Sequence, residues 1–415
     1  MPLFPNLPAL WRDPDFVRLW SAQAVSAFGA RITREGLPIA AVLTLGASPA
    51  DVGLLSALSN GPALVVGLAC GGYVDRTKRR GLMIAADLAR AAVLAAIPVA
   101  ALLHVLTLPL LYLAAALVGA ASVLFEIADH AYLPGLVKRE DLTRANASLS
   151  ATESVAEIGG PALAGALFQV LVAPLAIAAN AVTYLVSALF LAGIRRPEPT
   201  PEPEPHAHWT DDVALGFGAV WRHPLVRPIF LATAIHSLFG GIFGALYILF
   251  CLKIVGLAPA LLGLTIAAGG AGALLGALLA GWMSRRLGVG PALIAGQVLV
   301  ALSVLLIPLA PADPEGGMAI LVLAQVLGDA FGVVLLILSS SLSQSAMPPA
   351  MLGRVGASFK ATAGGLAVVG ALGGGLLGEI LGVRGALWVA AAGFAITPLV
   401  GLPLRHLAEM PEGPA

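Results

Sequence analysis

Three charged residues interrupt an oily run near the start of the chain. Arg31, Arg34 and Glu35 lie between FVRLWSAQAVSAFGA and LPIAAVLTLG. Spaced three and four apart, Arg31, Arg34 and Glu35 share one helix face. Glu153 and Glu157 are four apart in another apolar run, and Glu126, Asp129 and His130 are spaced three and four in a third. His236 and Asp329 stand in apolar surroundings further along. A buried carboxyl is easier to protonate than an exposed one. A site held alternately by a proton and by a ligand is what proton coupling requires. The expectation is that Glu157, or Glu126, carries the coupling proton with Arg31 as its tuning partner. The alternative is a permanently paired network that fixes helix packing.

The elements that position these groups follow from composition. The chain has 415 residues, 59% hydrophobic and 11% charged. Soluble domains carry roughly 25% charged residues, so lipid is the expected solvent. Lys plus Arg and Asp plus Glu balance at 23 each, which argues against a nucleic-acid partner. Cys70 and Cys251 lie in apolar runs without metal or disulfide spacing and read as small apolar residues. The N-terminus shows no short apolar run with a cleavage site, so no signal peptide is expected. There is no GxxxxGK and no HExxH, so the expected energy source is an ion gradient, and no enzyme activity, metal or cofactor is expected.

Twelve apolar spans are predicted: 16–45, 50–74, 81–104, 107–132, 145–171, 174–194, 225–254, 260–283, 291–310, 317–342, 355–378 and 385–403. In lipid the backbone must satisfy its own hydrogen bonds, so each span is read as a helix, and the lack of alternation excludes a barrel. With both termini cytoplasmic, 17 of the 23 Lys and Arg fall on the inner side and two, Lys253 and Arg384, outside. The opposite orientation reverses that ratio and loses to the positive-inside rule. The expected location is the inner membrane, as a multi-pass protein.

A polar stretch, RRPEPTPEPEPHAHWTDD, interrupts the spans after the sixth. Its alternating prolines favour an extended, solvated chain, and His206 and His208 read as loop residues rather than metal ligands. The domains are therefore read as a six-helix bundle at 1–194, a cytoplasmic Pro-rich linker at 195–222, and a second six-helix bundle at 223–415. LTRANASLSAT (142–152) matches LGRVGASFKAT (352–362), SAFG matches SLFG, and GYVDR matches GWMSR, at offsets of 210, 211 and 209. A common spacing argues for duplication of a six-helix unit. An even helix number makes the repeats parallel, with a cavity expected between the halves at the bilayer midplane.

The turn GGYVDRTKRRG carries Gly71, Asp75, Arg76, Arg79 and Arg80. It resembles the major facilitator superfamily signature Gly-x-x-x-Asp-Arg-x-Gly-Arg-Arg, with Lys78 where the family has Gly. The resemblance implies a twelve-helix all-α transporter working by alternating access, with this loop latching the cytoplasmic side. The second copy, GWMSRRLG, has Ser284 in place of the Asp, so a weaker latch is expected there. RLWSAQAVSAFG, YVDRTKRRGLMIAADLARA, LPGLVKREDLTRANASLS and GGPALAG resemble the branch containing macrolide-efflux and enterobactin-export proteins. Gly160, Pro161 and Gly165 resemble the antiporter motif Gly-Pro-x-x-Gly-Gly, with Ala164 replacing one Gly; a kinked packing helix is the structural alternative.

In a helix starting near Phe16, Arg31 lies roughly 22 Å along, and Glu157 lies roughly 18 Å into its own span, both near mid-depth. Charges there cost several kcal/mol unless paired or hydrated. In the resembled family helices 1 and 4 line the cavity and 2 and 5 contact the other half, so Arg31 and Arg34 are expected to pair with Glu157 or Glu126. Asp129 is expected to bridge to Arg76 or Arg79. Asp87 and Arg90, three apart, are expected to pair structurally, and Lys360 to snorkel. In the second half Asp329 is the preferred functional residue, with His236 beside the glycine-rich FGGIFGALY. The expected function is proton-coupled efflux of a small amphipathic organic molecule, multidrug in type, by a monomer. The alternatives are a proton symporter for a nutrient and, from another class, a channel.

Overall fold

The computed structural model describes residues 9–69, 77–198 and 209–411. Gly71, Asp75 and Arg76 of the expected latch, Cys70, and residues 199–208 with His206 and His208 lie outside the described residues. Every regular element among the described residues is helical. α1 (Ala9–Arg12) leads into α2 (Pro14–Thr44), α3 (Pro49–Asn60) and α4 (Pro62–Ala69). Then follow α5 (Arg79–Leu102), α6 (Leu108–Leu136), α7 (Leu142–Val170) and α8 (Ala173–Ala192). The second half holds α9 (Trp209–Arg222), α10 (Val226–Leu249), α11 (Pro259–Leu287), α12 (Val289–Leu309), α13 (Pro314–Ala346), α14 (Pro349–Phe394) and α15 (Thr397–Gly401).

The helix starts follow local chemistry. Asp13 caps α2, accepting from the amides of Asp15 (2.9 Å) and Phe16 (3.4 Å), and Pro14 supplies the preset φ of the first turn. Asp313 does the same for α13, accepting from Gly316 N at 2.8 Å. α10 ends in a π-helical turn, Phe250–Val255. α14 is two helices in one run: Gly382 at φ 74° breaks it. That left-handed conformation suits a residue without a Cβ.

Eight stretches of described helix are long and apolar enough to cross a membrane. One of them, Pro349–Leu404, contains the Gly382 break and so accounts for two of the twelve spans. α2 and α7 are not among the eight; they carry Arg31, Arg34, Glu35, Glu153 and Glu157. The span expected at 50–74 is broken at Gly61 between α3 and α4. Large apolar side chains point outward: Val170 is 83% exposed, Leu278 77% and Ile380 77%. A lipid-facing surface explains this; a watery one does not.

The chain divides into two compact units. Unit 1 comprises residues 1–46 and 58–206; unit 2 comprises 47–57 and 207–415. In unit 1, α2 packs on α7 and α8, and α5 packs on α6 and α8. In unit 2, α10 packs on α14, and α13 packs on α11 and α12. The start of α3 belongs with unit 2, where the amide of Ala50 donates to Glu379 Oε1 of α14 at 3.1 Å.

The stretch expected to be extended and solvated is in part a helix. α9 docks on the start of α14, where Ser358 Oγ donates to the Val213 carbonyl at 3.0 Å. Val220 is fully buried, and the Phe217 ring stands edge-on to Phe230 at 5.5 Å. The prolines end at Pro205, after which apolar residues recur at helical spacing and give the segment a face to bury.

Candidate functional site

The charges of α2 meet one carboxylate of α7. Arg31 Nη1 donates to Glu157 Oε1 at 2.8 Å, and Arg34 Nη2 lies 3.4 Å from the same oxygen. Arg34 Nε donates to Glu35 Oε1 at 3.0 Å. The chain Arg31–Glu157–Arg34–Glu35 is therefore charge-balanced as drawn. Its members differ in access: the Glu157 and Arg34 side chains are about half exposed, those of Arg31 and Glu35 largely covered. Of the two expected partners the arginines close on Glu157. Glu126 is exposed on α6, its carbonyl accepting from His130 Nδ1 at 2.8 Å, and Glu153 is exposed one turn before Glu157.

α7 is shaped for this contact. A Cβ at Gly160 would meet Cβ of Arg31 at 2.5 Å and its Cγ at 2.7 Å, so the missing side chain admits the root of the arginine. α7 runs unbroken through the buried Pro161. Proline has no N–H, so the carbonyl four residues earlier, that of Glu157 itself, loses its helical donor. A bare carbonyl and a titratable carboxylate thus belong to the same residue. Gly165, one turn on, is buried in the same helix.

The Asp129 side chain accepts from Gln23 of α2, and Arg76, one of its two expected partners, lies outside the described residues. Helical spacing gives depth but not the neighbour across the groove, and Gln23 stands there. Arg79 and Arg80 bind elsewhere. Their amides donate to Glu198 at 2.7 and 3.2 Å, and the Arg80 guanidinium donates to the carbonyls of Ile194 (2.6 Å) and Ala192 (3.2 Å). The amides of Arg195 and Arg196 donate to Asp15, each at 3.0 Å, and Arg196 Nη2 pairs with Asp13 at 2.8 Å. Glu198, Asp13 and Asp15 were not singled out from sequence. The available signal was an acid that can sit at a helix N-terminus, where four amides lack partners.

Asp87 and Arg90 pair as expected, inside unit 1. Asp87 is 0% and Arg90 3% exposed. The guanidinium lies between the rings of Phe125 (4.5 Å) and Tyr184 (4.2 Å), with Ser122 Oγ at 3.4 Å and Ser26 Oγ at 3.5 Å.

Unit 2 holds an open space instead. A cavity of about 560 Å³ is bounded by α10, α12, α13, α14 and α15. Small-molecule sites typically measure about 300–1,000 Å³. His236 lines it, with its ring edge-on to Phe394 at 4.8 Å. So do Ser339, Ser343 and Gln344, from the SSSLSQ run of α13. Gln297 is on the wall with its Oε1 buried and without a hydrogen-bond partner, a state costing about 1–3 kcal/mol. Asp329 is not part of this wall. It accepts from Gln325 Nε2 at 2.9 Å and lies over Gly269 of α11. The serine run is visible in the sequence as a cluster of hydroxyls inside an apolar span, carrying no charge to mark it.

Residues 8–413 match the protein family described as transmembrane secretion effector. The chain is 27% identical over 419 residues to an "Uncharacterized MFS-type transporter YfiS" of Bacillus subtilis (strain 168), covering 98% of this chain and 96% of that one. It is similar to a solved bacterial homologue of the iron transporter ferroportin in an inward-facing state, with TM-score 0.73, 17% identity and coverage of 96% and 100%. The nucleoside transporter NupG gives TM-score 0.73 at 15% identity, covering 95% of this chain and 99% of that one. A bacterial homologue of the lysosomal transporter Spinster gives 0.72 at 14%, covering 97% and 100%. At these identities the likeness to solved structures is one of fold.

Proposed function

The chain belongs to the transmembrane secretion effector family of major-facilitator transporters, and from that premise we propose that it exports a small amphipathic organic molecule in exchange for protons. The observation that supports this most is the Arg31–Glu157–Arg34 contact at mid-depth of α2 and α7. With Glu157 ionised, one carboxylate holds two guanidiniums. With Glu157 protonated, the pair loses its anion and the set gains a net positive charge at mid-depth of the helices, where charge is disfavoured unless hydrated or paired. α2 and α7 then loosen, and an arriving substrate or the loss of the proton restores the contact. Export, rather than uptake, rests on the Gly160–Pro161 motif beside this contact and on its resemblance to the antiporter signature. The protein acts as a monomer in the inner membrane with both termini cytoplasmic.

The test is proton flux in inside-out vesicles with an acidic lumen and a pH dye. Macrolides, tetracyclines, lipophilic cations and siderophores are added in turn. The expected result is that a substrate releases lumenal protons through the native protein, and that Glu157→Gln abolishes the response while folding normally. Undiminished, pH-dependent transport by Glu157→Gln removes Glu157 from the coupling role. The uncharged wall of the unit 2 cavity favours one second reading, proton-coupled uptake of a neutral nutrient; protons moving in the same direction as substrate select it.

A further inference from the structure

The buried Arg90 of unit 1 and the cavity of unit 2 occupy the same place in the repeat. An offset of 210 residues carries α5 onto α12, with Arg79 falling on Val289, the first residue of each helix. The same offset carries Arg90 onto Val300 and Asp87 onto Gln297. Ser122 becomes Gly332, Phe125 becomes Leu335, and Ser26 becomes His236. In unit 1 these residues enclose a guanidinium. In unit 2 all five counterparts line the cavity. Replacing arginine by valine and serine by glycine removes the occupant and leaves its surroundings.

The replacement also sets the chemistry. Asp87, which accepts from an internal cation, has become an amide whose Oε1 has no partner in the protein. Among the described residues the wall carries hydroxyls, amides and the His236 imidazole beside Leu335, Leu336 and Phe359, and no carboxylate, lysine or arginine. A cation or an anion entering would leave its hydration shell without a counter-charge. A neutral molecule with hydroxyl or amide donors would replace its water contacts with those of Ser339, Ser343 and Gln344 while burying an apolar body.

We propose that this cavity of unit 2 is a binding site for an uncharged amphiphile whose hydroxyl or amide groups take the place that Arg90 fills in unit 1. The proposal rests on the transport reading, since the occupant is the transported molecule or a part of it.

The test is equilibrium binding to the full-length protein in lipid nanodiscs, with empty nanodiscs as the blank. The probes are hexyl β-glucoside and hexyltrimethylammonium, matched in chain length. Saturable binding of the glucoside is expected, tighter than any binding of the cation by about tenfold or more. Val300→Arg, which returns the missing residue type, should abolish it. Gln344→Leu should weaken it by up to about tenfold. Thermal melting shows whether each variant is folded; Gln344→Leu carries the test should Val300→Arg fail to fold. Equal binding of the two probes, no saturable glucoside binding, or full affinity in folded Gln344→Leu overturns the proposal. No proton gradient is involved, so this result and that of the Glu157→Gln flux assay stand or fall separately.

Discussion

The seam between α2 and α7 in unit 1 meets through charged side chains; its repeat mate, between α10 and α14 in unit 2, meets backbone to backbone. At the 210-residue offset Arg31 corresponds to Gly241, Glu157 to Ala367 and Gly160 to Gly370. In unit 2 a Cβ at Gly241 would run into the Ala367 carbonyl, and one at Gly370 into the Leu238 carbonyl. In unit 1 a Cβ at Gly160 meets only the stem of Arg31. One helix pair meets through ionisable side chains, while its mate meets at these positions through close-packed backbone. The order reverses around α5 and α12, where unit 1 is filled by a salt-bridged arginine and unit 2 is open. Each unit has one closed seam and one adaptable one, and the two are exchanged.

Two pairs of substitutions and one single substitution sharpen or break this comparison. The largest effect is expected at Arg90→Met, which leaves Asp87 buried without its cation and should cost about 3–5 kcal/mol. Val300→Met, at the matching place, has free volume beside it and should cost under about 1.5 kcal/mol. Denaturation midpoints that fall equally would end the distinction between filled and open. Next, Gly370→Ala must push backbone against backbone and should cost about 1–3 kcal/mol. Gly160→Ala meets Cβ of Arg31, an atom fixed to its backbone, and should cost no more than that, but it should also impair gradient-driven transport. If Gly370→Ala melts like the native protein, the α10/α14 seam is looser than described. The smallest stability effect is expected for Arg31→Gln, about 1 kcal/mol, since Glu157 is half exposed and keeps Arg34. Its transport should nonetheless lose dependence on the proton gradient. A melting loss as deep as that of Arg90→Met would make the α2/α7 charges structural.

The helices were legible because apolar runs of spanning length leave the backbone one choice. The Arg31–Glu157 contact was legible because both groups fall at similar depth and their helical spacing selects one face. For Asp129, depth does not give direction: its described partner is Gln23, an uncharged residue that charge counting does not reach, and Arg76 lies outside the described residues. The cavity was not legible from any local pattern. It is built from serines, glutamines and a valine on separate helices, and its meaning depends on residues that are absent there and present in the other repeat. The repeat had been detected from three short matches, but offsets of 209 to 211 leave the register loose until helix starts and contacts fix it.

The vacancy opposite Arg90 has a consequence for how such proteins change over generations. Five replacements, at 236, 297, 300, 332 and 335, separate the open arrangement of unit 2 from the filled one of unit 1, and those at 297 and 300 carry the ion pair itself. None alters a helix start, a turn or the lipid-facing surface. A duplicated transporter could therefore gain or surrender a receptor in one copy while the other keeps the fold standing. Divergence of cargo within the lineage would then be concentrated at the few positions around 297 and 300, and would leave the hydropathy profile of the chain unmarked.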